Sequence, residues 1–308
     1  MCVADAKVLS YIHLRNGSGT CHRWLYRADT RRETNGDDHT HNVAGGLRAD
    51  TILGRDGNDS QCNIAFKKEI GVSSFLEQLK RHLDKIQTPC KTALVSLTPK
   101  LEWAIHRTGQ KSRSSSQFFK EGESGLAIID TEKLRTSDDT IILRVSDVIS
   151  YSQEHGQENL FSATVRGWAQ NCEEYVVINS IPSEAVAKWV PWEVLFTEHS
   201  TERLLVENFQ YWYTLGKLRQ NCSLISAPLP DVAWRVLKLA TAIVECGSTN
   251  ASYGYKTAIE AIAGGSDWGW GYENANNTVL LVDAANICLE IQTLQRKLQG
   301  LSVRSSID

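Results

Sequence analysis

The sequence predicts a mixed α+β domain followed by a helical C-terminal part. Short β-branched runs bounded by turn residues alternate with amphipathic segments through the first two thirds of the chain. Past Pro228 and Pro230 the strand signal stops and two longer helical stretches follow.

The elements follow in order. Leu25 to Arg31 is an apolar strand end delivering an arginine into a turn, and residues 28–61, rich in Arg, Asp, Asn, Gly and Thr, read as a long irregular surface loop. Ser73 to Gln87 carries Phe75, Leu76, Leu79, Leu83 and Ile86 at helical spacing, with Ser73 or Ser74 placed to cap it. Pro89 closes that helix, and Thr92 to Thr98 reads as a short buried strand. Leu101 to Thr108 is then a helix with Pro99 near its first turn. Lys111 to Ser116 reads as a mobile, solvated loop rather than a phosphate contact.

Gly125 to Asp130 and Ile141 to Val145 are strands, and Val145 to Val148 begins the next turn. Phe161 to Ala169 is a short helix. Glu174 to Ile178 is a central strand, because its β-branched run suits a surface buried on both faces. Ser183 to Val186 forms a capped helical turn after Pro182, and Trp192 to Thr197 reads as another strand. Val232 to Glu245 and Val279 to Gln299 are the C-terminal helices, joined by the Gly- and aromatic-rich segment Gly265 to Tyr272. Within that joint Trp268, Trp270 and Tyr272 alternate, which suits a packed aromatic hairpin or a stacking platform. The expected division is a segment 1–19, a domain 20–225 and a helical region 226–308.

Composition narrows the function. A net charge of −3 and a pI near 6.3 supply no overall basic field for non-specific nucleic-acid binding. No leader pattern and no apolar run long enough to span a bilayer are visible, so a cytoplasmic protein with no membrane association is expected. The 8 cysteines form no Cys-x-x-Cys pair, which argues against a zinc framework and for reduced thiols. His39 and His41 are tightly spaced, but no carboxylate or cysteine pattern completes a metal site, so no metal is expected.

Four segments carry candidate chemistry. Arg27 offers a planar fork that can brace a phosphate or a backbone carbonyl; the plain alternative is a strand-end ion pair. Ser96 and Thr98 lie on one face of their strand, so both hydroxyls can address one cleft, or else satisfy the strand end. Glu173 and Glu174 precede the central strand. A carboxylate there can stabilise a positive charge developing on a ribosyl carbon or accept a proton, whereas paired glutamates at a strand mouth also serve as a solvated turn. Ile181-Pro182 leads into a turn anchored by Trp189.

In this order the segments resemble the ADP-ribosyltransferases of the cholera-type toxin branch. Leu25-Tyr26-Arg27-Ala28-Asp29-Thr30-Arg31 matches that branch's Leu-Tyr-Arg-Ala-Asp-Ser-Arg opening with Thr30 for serine. Val95-Ser96-Leu97-Thr98 matches its Val-Ser-Thr-Ser strand with a changed third residue and Thr98 for the final serine. Ungapped alignment on Ile181-Pro182 and Trp189 places the branch's catalytic glutamate at Glu174. The resemblance covers residues 20–200. It implies two facing antiparallel sheets with a cleft and NAD as the nucleotide substrate. It further implies that Arg27 braces the phosphate region, Ser96 and Thr98 support the nicotinamide pocket, and Glu174 stabilises the oxocarbenium-like transition state. The branch's other glutamate, which orients an arginine acceptor, aligns with Cys172. Adjacent Glu173 points to the opposite face of a strand and does not simply replace it.

Arg166 to Val177, followed by Ile181-Pro182, also resembles a domain widespread in filamentous fungi, a group taken to include the arginine-containing cyclodipeptide synthases of secondary metabolism. Their Asp-Asp-x-x-Glu motif meets Gln170-Asn171-Cys172-Glu173-Glu174 here, which keeps only the final glutamate. That resemblance implies aminoacyl-tRNA as a partner, whereas the toxin resemblance implies a small nucleotide and a protein acceptor. A catalytically inactive binding module of the same fold is the third expectation. The sequence does not indicate the oligomeric state.

Overall fold

The computed structural model describes residues 22–31, 42–43, 46–48, 72–84, 94–113, 123–135, 141–178, 180–197, 228–246, 253–265 and 275–305. In chain order the elements begin with β1 (Trp24–Arg31), β2 (Asn42–Val43), β3 (Gly46–Arg48), α1 (Val72–Leu83), β4 (Leu94–Leu97), α2 (Leu101–Arg113) and β5 (Glu123–Asp130). Next come α3 (Thr131–Arg135), β6 (Ile142–Arg144), α4 (Val145–Glu154), α5 (Ala163–Cys172), β7 (Tyr175–Ile178) and β8 (Ser180–Ile181). A 3₁₀ turn (Ser183–Ala185), β9 (Val186–Pro191), α6 (Trp192–Thr197), α7 (Leu229–Glu245), α8 (Tyr255–Ala263) and α9 (Ala275–Ser305) complete the chain. The mixed α+β class stands. The described residues form two compact units, one reaching Lys100 and resuming from Ser114 to Trp189, the other joining Leu101–Arg113 to the chain from Val190 onward.

In the first unit the strands form three three-stranded sheets, ordered β1-β5-β9, β2-β3-β8 and β4-β7-β6. β1 runs antiparallel to β5, with Trp24 opposite Asp130 and Arg31 opposite Glu123. β7 is the middle strand of its sheet, antiparallel to both β4 and β6. All of its residues are buried, as its β-branched run predicts. Alternation sends Val176 and Ile178 to a core built on Phe75, Leu76, Leu79 and Leu83 of α1. Tyr175 and Val177 face a second core with Leu25, Leu97, Ile129 and Ile181. A mutual pair of backbone hydrogen bonds between Tyr26 and Thr98 (2.7 and 3.0 Å) ties the end of β4 to β1.

Several boundaries differ from expectation for physical reasons. β1 continues to Arg31, and β2 and β3 lie inside the stretch read as loop, because pairing with β5 and β8 outweighs a turn-rich composition. The remainder of residues 28–61 lies outside the described residues. The helix expected over Phe161 to Ala169 is α5. Ser162, whose side chain accepts from the Val165 amide at 3.2 Å, fixes its start.

In the second unit, α2 continues through Lys111 to Arg113, where a loop was expected; Gln, Lys and Arg extend a helix readily. Ser114 to Ser116 lie outside the described residues. Trp192–Thr197 is helical rather than extended. Its aromatic and β-branched residues suggest a strand, yet buried Trp192 and Leu195 are three apart while Glu193 is exposed, the signature of a helical face. Gly109 gives Trp192 its room, since a Cβ there would lie 2.8 Å from the indole. Gly109→Ala is therefore expected to destabilise by about 1 kcal/mol, overpacking outweighing the gain in helix propensity. A lowered melting temperature checks this.

Two C-terminal helices were expected, and three are present among the described residues from 228 onward. α8 forms because Ala258, Ile259, Ile262 and Ala263 make a buried stripe. Glu245 links all three: it accepts from the Tyr255 hydroxyl at 2.5 Å and pairs with Arg296 at 2.9 Å. Burial, and then the Glu245 hydrogen bond, push the Tyr255 hydroxyl above its ordinary pKa. Trp268, Trp270 and Tyr272 lie outside the described residues. Among the described residues no helix is long and apolar enough to cross a membrane, and no group of three or more His, Cys, Asp and Glu is arranged to hold a metal ion. His39 and His41 are outside them.

Candidate functional site

The site grows from the pairing of β4 with β7. Ser96 lies opposite Val176, so the residue before β7 on the same face, Glu174, is its diagonal neighbour. The Ser96 hydroxyl donates to Glu174 Oε1 at 2.6 Å. His82, from the last turn of α1, places Nε2 2.6 Å from the same hydroxyl oxygen. With the serine proton on the carboxylate side, Ser96 Oγ accepts from His82, which puts a proton on Nε2. The chain His82, Ser96, Glu174 is thus continuous.

Glu174 is only 5% exposed, and its Oε2 has no hydrogen-bond partner among the described residues. An acceptor left unmade in a buried position is costly, about 1–3 kcal/mol, and such atoms ask for an explanation. The backbone around it is held firmly. The Glu174 amide donates to Ala169 O at 3.0 Å and its carbonyl accepts from Val145 N at 2.8 Å. The carboxylate is therefore preorganised by α5 on one side and by the β6–α4 junction on the other.

Arg27 reaches the same place from β1. Its Nη1 donates to the Ser96 carbonyl at 3.1 Å, and its Nε donates to Asp29 Oδ2 at 2.7 Å. Both expected roles of an arginine fork are visible here: a strand ion pair, and a brace on a backbone carbonyl. The brace acts on the residue whose side chain holds Glu174. Thr98, on the same face as Ser96, turns its hydroxyl to the Cys172 carbonyl at 2.5 Å and accepts from the Lys100 amide at 3.1 Å. It ties β4 to the end of α5, the strand-end use of such a hydroxyl.

Glu173 is not on a strand, which corrects the reasoning from strand alternation. It is the C-cap of α5 in the left-handed conformation, at φ 47 and ψ 50. This reverses the chain from α5 into β7 and separates the two glutamates by backbone geometry rather than by pleat. Its carboxylate lies 3.3 Å from His22 Nε2, in a pair exposed by 34% and 49% respectively. The left-handed conformation costs a non-glycine residue about 1–2 kcal/mol, while so exposed a pair returns well under 1. Glu173→Gly is therefore expected to stabilise the protein by about 0.5 kcal/mol after the entropy of glycine in the unfolded chain is counted. Equilibrium unfolding measures it, and a loss of stability would show that the His22 contact dominates.

The structure brings Arg27, Ser96 and Glu174 together, gives Thr98 a neighbouring structural bond, and leads Glu173 to His22. Sequence reasoning missed His82 and Asp29. His82 follows Leu79 by three residues on the buried side of an amphipathic helix, and a titratable ring at that position was the available signal. Asp29 stands two residues after Arg27 in one strand, which puts both on one face.

Fold and site together describe an α+β protein in which a half-buried serine holds a buried glutamate and is braced by an arginine. A family model described as "Domain of unknown function (DUF7587)" matches residues 21–195, more than half of the chain, and the protein belongs to that family. No curated protein matches it. Among solved structures, EcPltA is similar over 56% of this chain and 77% of its own, at 16% identity and a TM-score of 0.35.

Proposed function

We propose that this chain is an enzyme acting on NAD, by ADP-ribosyl transfer or glycohydrolysis, with Glu174 as its central group. The observation that carries the reading is the buried Glu174 carboxylate, one oxygen held by Ser96 and the other without a hydrogen bond among the described residues. Such a carboxylate, fixed in place and dry, is worth most where positive charge develops. In the reaction the bond between ribose C1′ and the nicotinamide nitrogen breaks, and the electron pair leaves with neutral nicotinamide. The ribosyl cation is stabilised by Glu174 and captured by the oxygen of water or by an acceptor's nucleophilic atom, whose proton is released. Ser96 and His82 orient the carboxylate. Arg27 fixes the Ser96 strand through its bond to the Ser96 carbonyl, and in this reading its guanidinium is the group that meets a phosphate.

A second reading, a cyclodipeptide synthase using aminoacyl-tRNA to make arginine-containing products, draws on Cys172. That position carries a buried thiol, 3% exposed, in place of the carboxylate that orients an acceptor in the toxin branch. The buried acceptor on Glu174 would equally suit a guanidinium. Nicotinamide release by the purified chain separates the readings: turnover supports the first. No turnover, with arginine-containing cyclic dipeptides in extracts of an expressing host, replaces it with the second. Absence of both leaves an inactive binding module.

A further inference from the structure

Helix α9 presents two apolar stripes where its own unit needs one. Leu281, Ala285 and Cys288 are buried, and α9 contacts α7 and α8. A different stripe, Leu280, Ile287, Ile291, Leu294 and Leu298, is exposed by 54%, 57%, 41%, 58% and 65%. Its spacing of seven, four, three and four residues is the heptad seam of a coiled coil, with Ala284 completing the first repeat. Residues 293–299 are all exposed, so the helix continues past the contacts that bury its first half, with Arg296 still reaching Glu245 of α7. A helical stretch without tertiary cover is marginal in water, and an exposed leucine–isoleucine seam marks an association surface.

The flank of the seam identifies the occupant. Glu290 and Lys297 are exposed, seven residues apart, at the positions bordering the seam away from buried Leu281 and Cys288. Against a second copy running antiparallel, Ile291 meets the partner's Leu294 and Ile287 meets the partner's Leu298. In that same register Glu290 meets the partner's Lys297, and Lys297 meets the partner's Glu290. The apolar layers and the charges are satisfied by one alignment. A parallel arrangement instead sets Glu290 against the partner's Gln295 and Asp283 against the partner's Cys288, pairing no charges. We infer that this protein forms a homodimer through an antiparallel coiled coil of α9, in the register set by Glu290 and Lys297. This stands apart from the NAD reading and uses none of its residues.

Sedimentation across a concentration series of the full chain tests it, with helical content checked by circular dichroism. The wild type is expected to dimerise. Glu290→Lys and Lys297→Glu, each confronting like charges twice per dimer, are expected to weaken self-association roughly ten-fold. The double variant restores it. The decisive arm mixes the two single variants: each chain's charges then complement the other's, and a heterodimer is expected. A wild type that stays monomeric at the highest concentration overturns the inference. So does association that survives both single substitutions unchanged, or failure of the mixed pair to associate more tightly than either alone.

Discussion

Replacing Glu174 with glutamine is expected to reduce turnover of NAD by at least about 10²–10³-fold while leaving the fold intact. The two side chains are nearly identical in shape. The amide oxygen still accepts from the Ser96 hydroxyl, so the contact at 2.6 Å survives. What disappears is the negative charge, held where only 5% of the residue meets solvent. The amide nitrogen takes the place of an oxygen without a partner among the described residues, at a cost of about 1–2 kcal/mol, and removing a buried charge offsets part of it. Stability should therefore change by no more than about 1 kcal/mol. Initial rates and urea unfolding measured on one preparation separate the two effects. A variant that keeps its activity removes Glu174 from the chemistry. A variant that unfolds assigns it to the core.

The second large effect is structural. Arg27→Ala leaves the Asp29 carboxylate, its side chain only 4% exposed, without the guanidinium that pairs with it at 2.7 Å. Removing one member of so enclosed a pair costs about 3 kcal/mol, far above the value of a surface ion pair. The bond to the Ser96 carbonyl is lost as well, so the strand that presents the serine loosens. Arg27→Lys keeps the charge but cannot hold both partners with one planar group, and should lose about 1 kcal/mol. A shift in denaturation midpoint with an unchanged slope reports the loss. Adding Asp29→Asn to Arg27→Ala should recover part of it, and full additivity of the two changes would show that the residues do not interact.

Much of this arrangement is legible in the chain itself because its signals are local. The apolar spacing in α1 and the β-branched run of β7 depend only on which face is buried. Serine and threonine two apart in β4 must share a face, and their hydroxyls do address one segment, residues 172–174. What escapes local reading depends on distant partners. β2 and β3 exist because β8 lies alongside, and no composition rule encodes that pairing. Trp192–Thr197 has the residues of a strand and the burial of a helix, and only its packing surface decides. Glu173 reads as a residue at the mouth of a strand, but the turn from α5 to β7 puts it in a left-handed cap. His82 joins the site from the helix directly before β4, 14 residues ahead of Ser96, announced only by a polar ring beside a buried helical face.

In the proposed reading, Arg27, Ser96 and Glu174 form the place where NAD is bound and cleaved. A crystal structure of the chain with a slowly cleaved NAD analogue tests this most directly. It should place the ribosyl carbon that bears nicotinamide against the Glu174 carboxylate, with Ser96 beside it and a phosphate oxygen within hydrogen-bond reach of Arg27. Analogue bound elsewhere, or crystals at saturating analogue with nothing at these three residues, would contradict it.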